Sequence, residues 1–163
     1  MDAPVFNSRN KKEYPPMHTA EHIINQAMCR LFDTGRSTGA HIEWKKSRLD
    51  FHAPNTMGDS EAKQLEDEVN RVIALDLPIK YVVTTRSEAS QYGVDLSRIP
   101  EDSSEAVQIV QVGDYDSCLC IGSHVEHSGQ IGHVEIYSHD YYPEEKRWRI
   151  RYRLSGEDPK FQE

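Results

Sequence analysis

Two short stretches, far apart in the chain, hold the residue types with the most chemistry to offer. His18-Thr19-Ala20-Glu21-His22 lies near the N-terminus and Cys120-Ile121-Gly122-Ser123-His124 in the last third. Each pairs two soft or borderline metal donors at i and i+4. Neither closes a site alone, but together they offer three imidazoles and one thiolate, a donor set that suits zinc. Residues four apart on a helix have β-carbons about 5–6 Å apart, so His18 and His22 can converge on one ion. Cys120 and His124 can do the same if a strand-to-loop segment curls at Gly122, where the missing side chain permits unusual dihedrals. The expected site is one tetrahedral zinc on His18, His22, Cys120 and His124. Four protein ligands describe a closed, structural zinc, whereas catalytic zinc keeps a position open. Catalysis would need five-coordination, a displaced ligand or a zinc that only orients substrate, and the spacing leaves these open. A different reading takes His18, Glu21 and His22 as H-x-x-E-H, a zinc-peptidase pattern with Glu21 as base and a downstream carboxylate as third ligand. That reading leaves Cys120 and His124 unused.

The elements that must position these residues are legible from periodicity. Pro15-Pro16 stops anything helical before it and pre-sets a helix after it. The first helix is predicted from about Met17 to near Gly35, a glycine suited to the C-terminal cap. Met17, Ala20, Ile24, Ala27, Met28 and Leu31 form its apolar stripe. At about 100° per residue, His18 and His22 sit roughly 40° apart and nearly opposite that stripe, with Asn25 and Cys29 on the same face. A hairpin is expected over 38–53, with Ile42 and Trp44 alternating, a turn at Lys45-Lys46-Ser47, and Leu49 and Phe51 returning. A second helix, capped by Asp59 or Ser60, runs to about Leu75 with Ala62, Leu65, Val69, Val72 and Ile73 inward.

Strands follow around Ile79–Val83, with a short helical turn after Ser87 and a loop over 93–104 containing Pro100. Further strands are expected over 107–112, at the cysteine segment, over 131–137 and over 147–154, with turns at Gly113-Asp114 and Ser128-Gly129. Short turns suit antiparallel neighbours, since parallel crossovers need a dozen or more residues. The fold class is therefore α+β, a two-layer domain with a mainly antiparallel sheet and helices on one face. Residues 1–16 are expected to form an arm and 17–163 a single domain.

Composition narrows the function classes. The chain has 163 residues, a length that most often makes one domain and buries roughly 70% of its unfolded surface without disulfides. No apolar run reaches transmembrane length, and the N-terminus lacks a basic region followed by an apolar core, so the expectation is a cytoplasmic protein with no membrane partner. Cys29, Cys118 and Cys120 are read as reduced thiols. A net charge of −8 argues against a generic, charge-driven nucleic-acid binder. A local basic face remains available, because Arg147, Arg149, Arg151 and Arg153 alternate with Trp148, Ile150, Tyr152 and Leu154 along one strand. With Lys45, Lys46 and Arg48 these could contact phosphates; the plainer reading pairs them with local acids such as Glu144 and Glu145.

Taken together, H-T-A-x-H, then C-x-G-x-H-V at Cys120–Val125, then S-G-x-I-G at Ser128–Gly132, resembles the editing domain of alanyl-tRNA synthetase. Arg48-Leu49-Asp50-Phe51 adds to the likeness. The chain is still more similar to the free-standing AlaX proteins, which share this domain with the editing module of threonyl-tRNA synthetase. The similarity runs from about Pro16 to Leu154, and the absence of an aminoacylation domain fits the small AlaX class. The resemblance implies hydrolysis of a mischarged tRNA ester, with alanine tRNA carrying serine or glycine as substrate, its acceptor end as partner, and no need for ATP. It places the zinc ligands on His18, His22, Cys120 and His124, and a catalytic role in setting the ribose or a water on Thr19. Contact with the aminoacyl group falls near Ser37 or Thr38. Synthetase editing domains more often carry glutamine there and Gly-Ser where this chain has Gly39-Ala40, so amino-acid selectivity departs from the pattern. Oligomeric state is not encoded in any of these motifs.

Overall fold

The structure, a computed structural model, describes residues 14–94 and 106–162. Most of the expected arm and most of the expected Pro100 loop lie outside the described residues. Helix α1 spans Pro15–Phe32, so both prolines belong to the helix rather than to the arm, occupying its first positions where their missing N–H is not needed. It ends before Gly35: Asp33 takes the left-handed conformation (φ 55°) and its N–H returns to the Cys29 carbonyl. An aspartate tolerates that conformation better than most side chains do. Strand β1 (Gly39–His41) pairs antiparallel with β2 (Ser47–His52) in the expected hairpin, although β1 stops before Ile42 and leaves Trp44 exposed. Helix α2 covers Asp59–Ala74 and buries the five residues expected. Its cap is Gly58, whose N–H is bonded by the Glu61 carboxylate at 2.7 Å.

Strand β3 (Ile79–Thr85), the short helix α3 (Arg86–Ala89), and strands β4 (Ala106–Val112), β5 (Asp116–Leu119), β6 (His133–Tyr142) and β7 (Arg147–Ser155) complete the order. Among the described residues all pairing between strands is antiparallel and falls into two sheets, β1-β2-β7-β6 and β3-β4-β5. This is the α+β architecture expected from the short turns. Leu49, Phe51, Trp148, Ile150 and Tyr152 turn inward from the larger sheet and join Met17, Ile23, Ile24 and Met28 of α1 with Leu65 and Val69 of α2 in one core. In the smaller sheet, Val110 and Val112 face that core while Val107 and Ile109 face a minor cluster with Ala89. Leu31, assigned to the apolar stripe, is exposed at the end of α1, whereas Ile23, outside the stripe, is fully buried. Helix α1 is enclosed on several sides, which broadens its buried face beyond one stripe.

Candidate metal centre

Helix α1 supplies the first half of the site from its fourth and eighth residues, His18 and His22, both buried. The second half comes from the loop after β5, where Cys120 and His124 are also buried. Packing of that loop across the helix brings one donor atom from each of the four within 4.8 Å of all the others. Cys120 Sγ lies 3.4 Å from His18 Nε2 and 3.5 Å from His124 Nε2. A tetrahedral ion with bonds of roughly 2.1 Å to nitrogen and 2.3 Å to sulfur has its ligand atoms about 3.6 Å apart. The two cysteine edges match that value and every other pair lies within 4.8 Å, so the donor set suits zinc. Among the described residues this is the group placed to hold a metal ion, and no carboxylate belongs to it. The quartet therefore contains the two residues that the H-x-x-E-H reading omits.

Neighbouring atoms orient the donors. Thr19, fully buried, sets its hydroxyl oxygen 2.9 Å from His124 Nδ1, and the same oxygen accepts the Val125 N–H at 3.1 Å. The hydroxyl therefore ties the helix to the ligand-bearing loop. His18 Nδ1 lies 3.3 Å from the Ser123 carbonyl, and the His124 N–H donates to the Tyr81 hydroxyl at 3.1 Å. The Gly122 N–H donates to the Cys120 sulfur at 3.4 Å, which is the curl expected of that loop. His22 Nδ1 is buried without a hydrogen bond, and Asp116 Oδ2 stands 3.7 Å from it. Burial first, then the neighbouring His124 and His18, holds the His22 pKa well below its ordinary value. Burial and His18 do the same for His124. Neutral imidazoles are the form that binds metal.

A cleft of about 410 Å³ opens beside the quartet, lined in part by His18, Glu21, His22, Asn25, Arg36 and Ser37. Ser37 lines it, whereas Thr38 turns its N–H and hydroxyl to the Asp50 carbonyl and is absent from the described lining. Glu21 places Oε1 3.8 Å from His18 Nε2 and 3.9 Å from His22 Nε2. Asn25 Nδ2 donates to Glu21 Oε2 at 2.5 Å, and the Ser37 N–H donates to Asn25 Oδ1 at 2.6 Å. Beneath them Arg36 grips the fully buried Asp116 carboxylate at 2.7 and 3.3 Å. Burial alone would lower the Arg36 pKa, but Cys118 and Asp116 raise it far above the ordinary range. Cys118, also in the lining, is pushed up to about 12 by burial, so its thiol stays protonated. All three cysteines are free.

The arginines expected at an RNA surface share one face of β7 but are ion-paired. Arg147 meets Asp50 and Glu145, Arg149 meets Asp50, Arg151 meets Asp140, and Arg153 meets Glu135. Lys45 lies over the Trp44 ring, 5.6 Å from its centroid, and Lys46 borders a small hollow with Arg48 and Arg151. Sequence reasoning did not single out Arg36, Asp116 or Tyr81. Each acts across 43 to 90 residues of chain, where no periodicity reports. Asn25 was visible as the residue four beyond Glu21 on the histidine face.

The chain is similar to known proteins over much of its length. Residues 107–151 match the family described as the threonyl and alanyl tRNA synthetase second additional domain. The alanine–tRNA ligase of Frankia alni is 37% identical over 122 residues, covering 74% of this chain and 14% of the ligase. The chain is alanyl-tRNA synthetase editing-domain-like. The alanine–tRNA ligase of Treponema denticola is 32% identical over 116 residues, 71% of this chain and 19% of that enzyme. That of Thermobifida fusca is 32% identical over 120 residues, 73% of this chain and 13% of the enzyme. The editing-domain-like chain thus spans a small part of the length of the curated relatives it matches. No helix among its described residues is long and apolar enough to cross a membrane.

Proposed function

We propose that this chain hydrolyses the ester of mischarged aminoacyl-tRNA, most directly serine or glycine on alanine tRNA. The observation that carries the reading is the quartet of His18, His22, Cys120 and His124 gathered at the wall of an open cleft. When bound there, zinc would polarise an ester carbonyl and lower the pKa of a water toward about 7. The similarity to alanine–tRNA ligases supports tRNA as the carrier of the ester. An aminoacyl ester is already activated, so a polarised water and a stabiliser for the oxyanion suffice. Ser37 lines the cleft and supplies a polar contact for a substrate hydroxyl. A site built to hydrogen-bond that hydroxyl penalises alanine by leaving buried polar groups unpaired. Lys45 and Lys46 are offered to acceptor-end phosphates, while Arg147, Arg149 and Arg151 hold the strand face through their ion pairs.

The closed set of four protein ligands favours one second reading, a tRNA- or protein-binding module in which zinc is a structural staple. Incubation with serine-charged alanine tRNA separates the two. Faster ester loss than in buffer is expected, and an ester as stable as in buffer refutes the hydrolase. Replacing His22 by Ala should abolish metal binding and hydrolysis together. Hydrolysis that survives the loss of metal would confine zinc to a structural role.

A further inference from the structure

Each arginine of β7 is matched by a carboxylate, but the basic residues across from them are not. Arg48 of β2 stands directly opposite Arg151 of β7 in the antiparallel register. Like charges in that relation repel, so the pair gains the fold nothing by itself. Asp50, the next acid along β2, gives its oxygens to Arg149 and Arg147. Arg151 is held by Asp140 at 3.1 Å, one bond to a guanidinium with five donors. Among the described residues no carboxylate pairs with Arg48 or Lys46. Leu49 and Ile150 turn into the core, so Arg48 and Arg151 project from the outer face of the larger sheet. There they border a hollow of about 170 Å³ together with Lys46. The one acid in its described lining is Glu43, whose carboxylate is engaged by His41. Buried Ser47 accepts the Glu43 N–H at 2.9 Å and donates to its carbonyl at 3.1 Å, closing the turn that carries Lys46. Three cations against one carboxylate leave this hollow positive in a chain of net charge −8.

We infer that this hollow is a phosphate subsite, with Arg48 at its centre, for the backbone of the RNA strand whose 3′ end enters the cleft. The inference rests on the aminoacyl-tRNA reading. A guanidinium fork matches a phosphate through paired hydrogen bonds, and an ammonium adds a point charge beside it. A bound phosphate also relieves the repulsion between Arg48 and Arg151. Position favours a phosphate that belongs to the substrate. Ser37 lines the cleft and His41 borders the hollow, and four residues of chain span at most about 14 Å. One strand can therefore rest a phosphate here while its terminal ester reaches the quartet. Free phosphate offers the same chemistry but must bind unaided. A phosphate tethered to an RNA end already held in the cleft binds as an intramolecular step.

The test compares the zinc-loaded wild-type chain with Arg48→Gln, and with Lys46→Gln at the exposed turn as a second variant. Three probes are titrated: uncharged alanine tRNA over a range of salt, 3′-amide-linked seryl-adenosine, which has no backbone phosphate, and inorganic phosphate. Arg48→Gln should bind the tRNA about tenfold more weakly, the low end for a hydrogen bond to a charged group. Its salt slope should fall by roughly 0.7–0.9, the signature of one lost phosphate contact. Lys46→Gln should shift both in the same direction. Seryl-adenosine should bind both variants within about twofold of wild type. Weakening of seryl-adenosine equal to that of tRNA would assign Arg48 a structural role and overturn the inference. Saturable binding of inorganic phosphate that Arg48→Gln abolishes, with tRNA affinity unchanged, would give the hollow to free phosphate and overturn it as well. A wild-type chain that hydrolyses serine-charged tRNA, beside variants that bind tRNA with unchanged affinity and slope, overturns this inference alone. A wild-type chain that neither binds tRNA nor hydrolyses the ester overturns the deacylase reading with it.

Discussion

Thr19→Val is the substitution that most sharply tests how the quartet is held. Valine nearly matches threonine in shape, so the fully buried position keeps its packing while the hydroxyl disappears. Two buried groups then lose their partner, His124 Nδ1 at 2.9 Å and the Val125 N–H at 3.1 Å. A buried donor left unsatisfied costs about 1–3 kcal/mol, which lowers the stability of the metal-free protein. The larger consequence falls on the metal. A hydrogen bond to the far nitrogen of a ligand histidine fixes its ring and tautomer, and losing one costs about 10- to 100-fold in affinity. At free zinc one hundred times the dissociation constant, binding stabilises the fold by about 2.7 kcal/mol. A tenfold weaker site gives about 1.4 kcal/mol at the same zinc concentration. For a chain of this length the lost 1.3 kcal/mol or so corresponds to roughly 3–5 °C in melting temperature. The assay is a pair of thermal melts, zinc-loaded and chelated, with a competitive zinc titration alongside. The gap between the two melts should shrink in Thr19→Val. A lowered chelated melt with an unchanged gap and unchanged zinc affinity would refute the orienting role and leave Thr19 as packing alone.

Asp50 provides a pH-dependent prediction. Burial alone would raise its pKa, but Arg149, then Arg147 and Arg48, hold it below the usual carboxylate value. A depressed carboxylate adds stability that is complete above its unfolded pKa and is lost as pH falls through its folded pKa. Asp50→Asn should therefore cost about 1–3 kcal/mol near neutrality, and in chemical denaturation the difference from wild type should begin to shrink as pH falls below the ordinary aspartate value of about 3.9 and vanish only below the lowered folded pKa. Gly132 sits at φ +86°, and a Cβ there would lie 2.3 Å from the Ser155 carbonyl oxygen, so Gly132→Ala should lose about 2–4 kcal/mol in urea unfolding. If Lys45 and Lys46 meet phosphates, the double alanine variant should flatten the salt dependence of tRNA binding by roughly 0.7–0.9 per lost contact. Arg147→Ala, whose guanidinium is already held by Asp50 and Glu145, should change that slope less.

What the sequence made legible is what local periodicity encodes. The buried set of α2 was readable because five apolar residues recur at helical spacing on an otherwise charged segment. The β1–β2 hairpin was readable from alternation around a lysine turn, and the four clustered donors from their paired i, i+4 spacing. The missed features are those set by where distant elements meet. Asp33 ends α1 ahead of the more obvious Gly35 because the returning hydrogen bond to Cys29 closes the turn there. The ion pairing of the arginine stripe depends on strand register, which sets Arg149 between Asp50 and Asp140 and sets Arg153 opposite Glu135. Asp50 is the single acid of β2, and Glu135 and Asp140 stand five apart on β6 with a register shift between Ile136 and Ser138, so only the paired strands expose the pattern. The division into two sheets likewise has no mark in any single strand.

The position of the quartet gives that division its meaning. His18 and His22 belong to a helix packed in the main core, tied to the larger sheet where the Tyr152 hydroxyl meets the Met17 carbonyl at 3.3 Å. Cys120 and His124 belong to a loop leaving the smaller sheet, and Tyr81 of that sheet receives the His124 N–H. Downstream, the loop is stitched to the segment before β3, with the Ile79 N–H bonded to the Glu126 carbonyl and the Ser128 N–H to the Leu77 carbonyl. The donors therefore converge only when both sheets are seated, and an ion bound by all four ties the helix to the loop across residues far apart in sequence. The same geometry leaves the cleft on the side of Glu21, Asn25 and Ser37, while Thr19 backs His124 and Asp116 backs His22, neither of them in the lining. A donor set closed by four protein residues is thus compatible with a cleft that stays open beside Glu21.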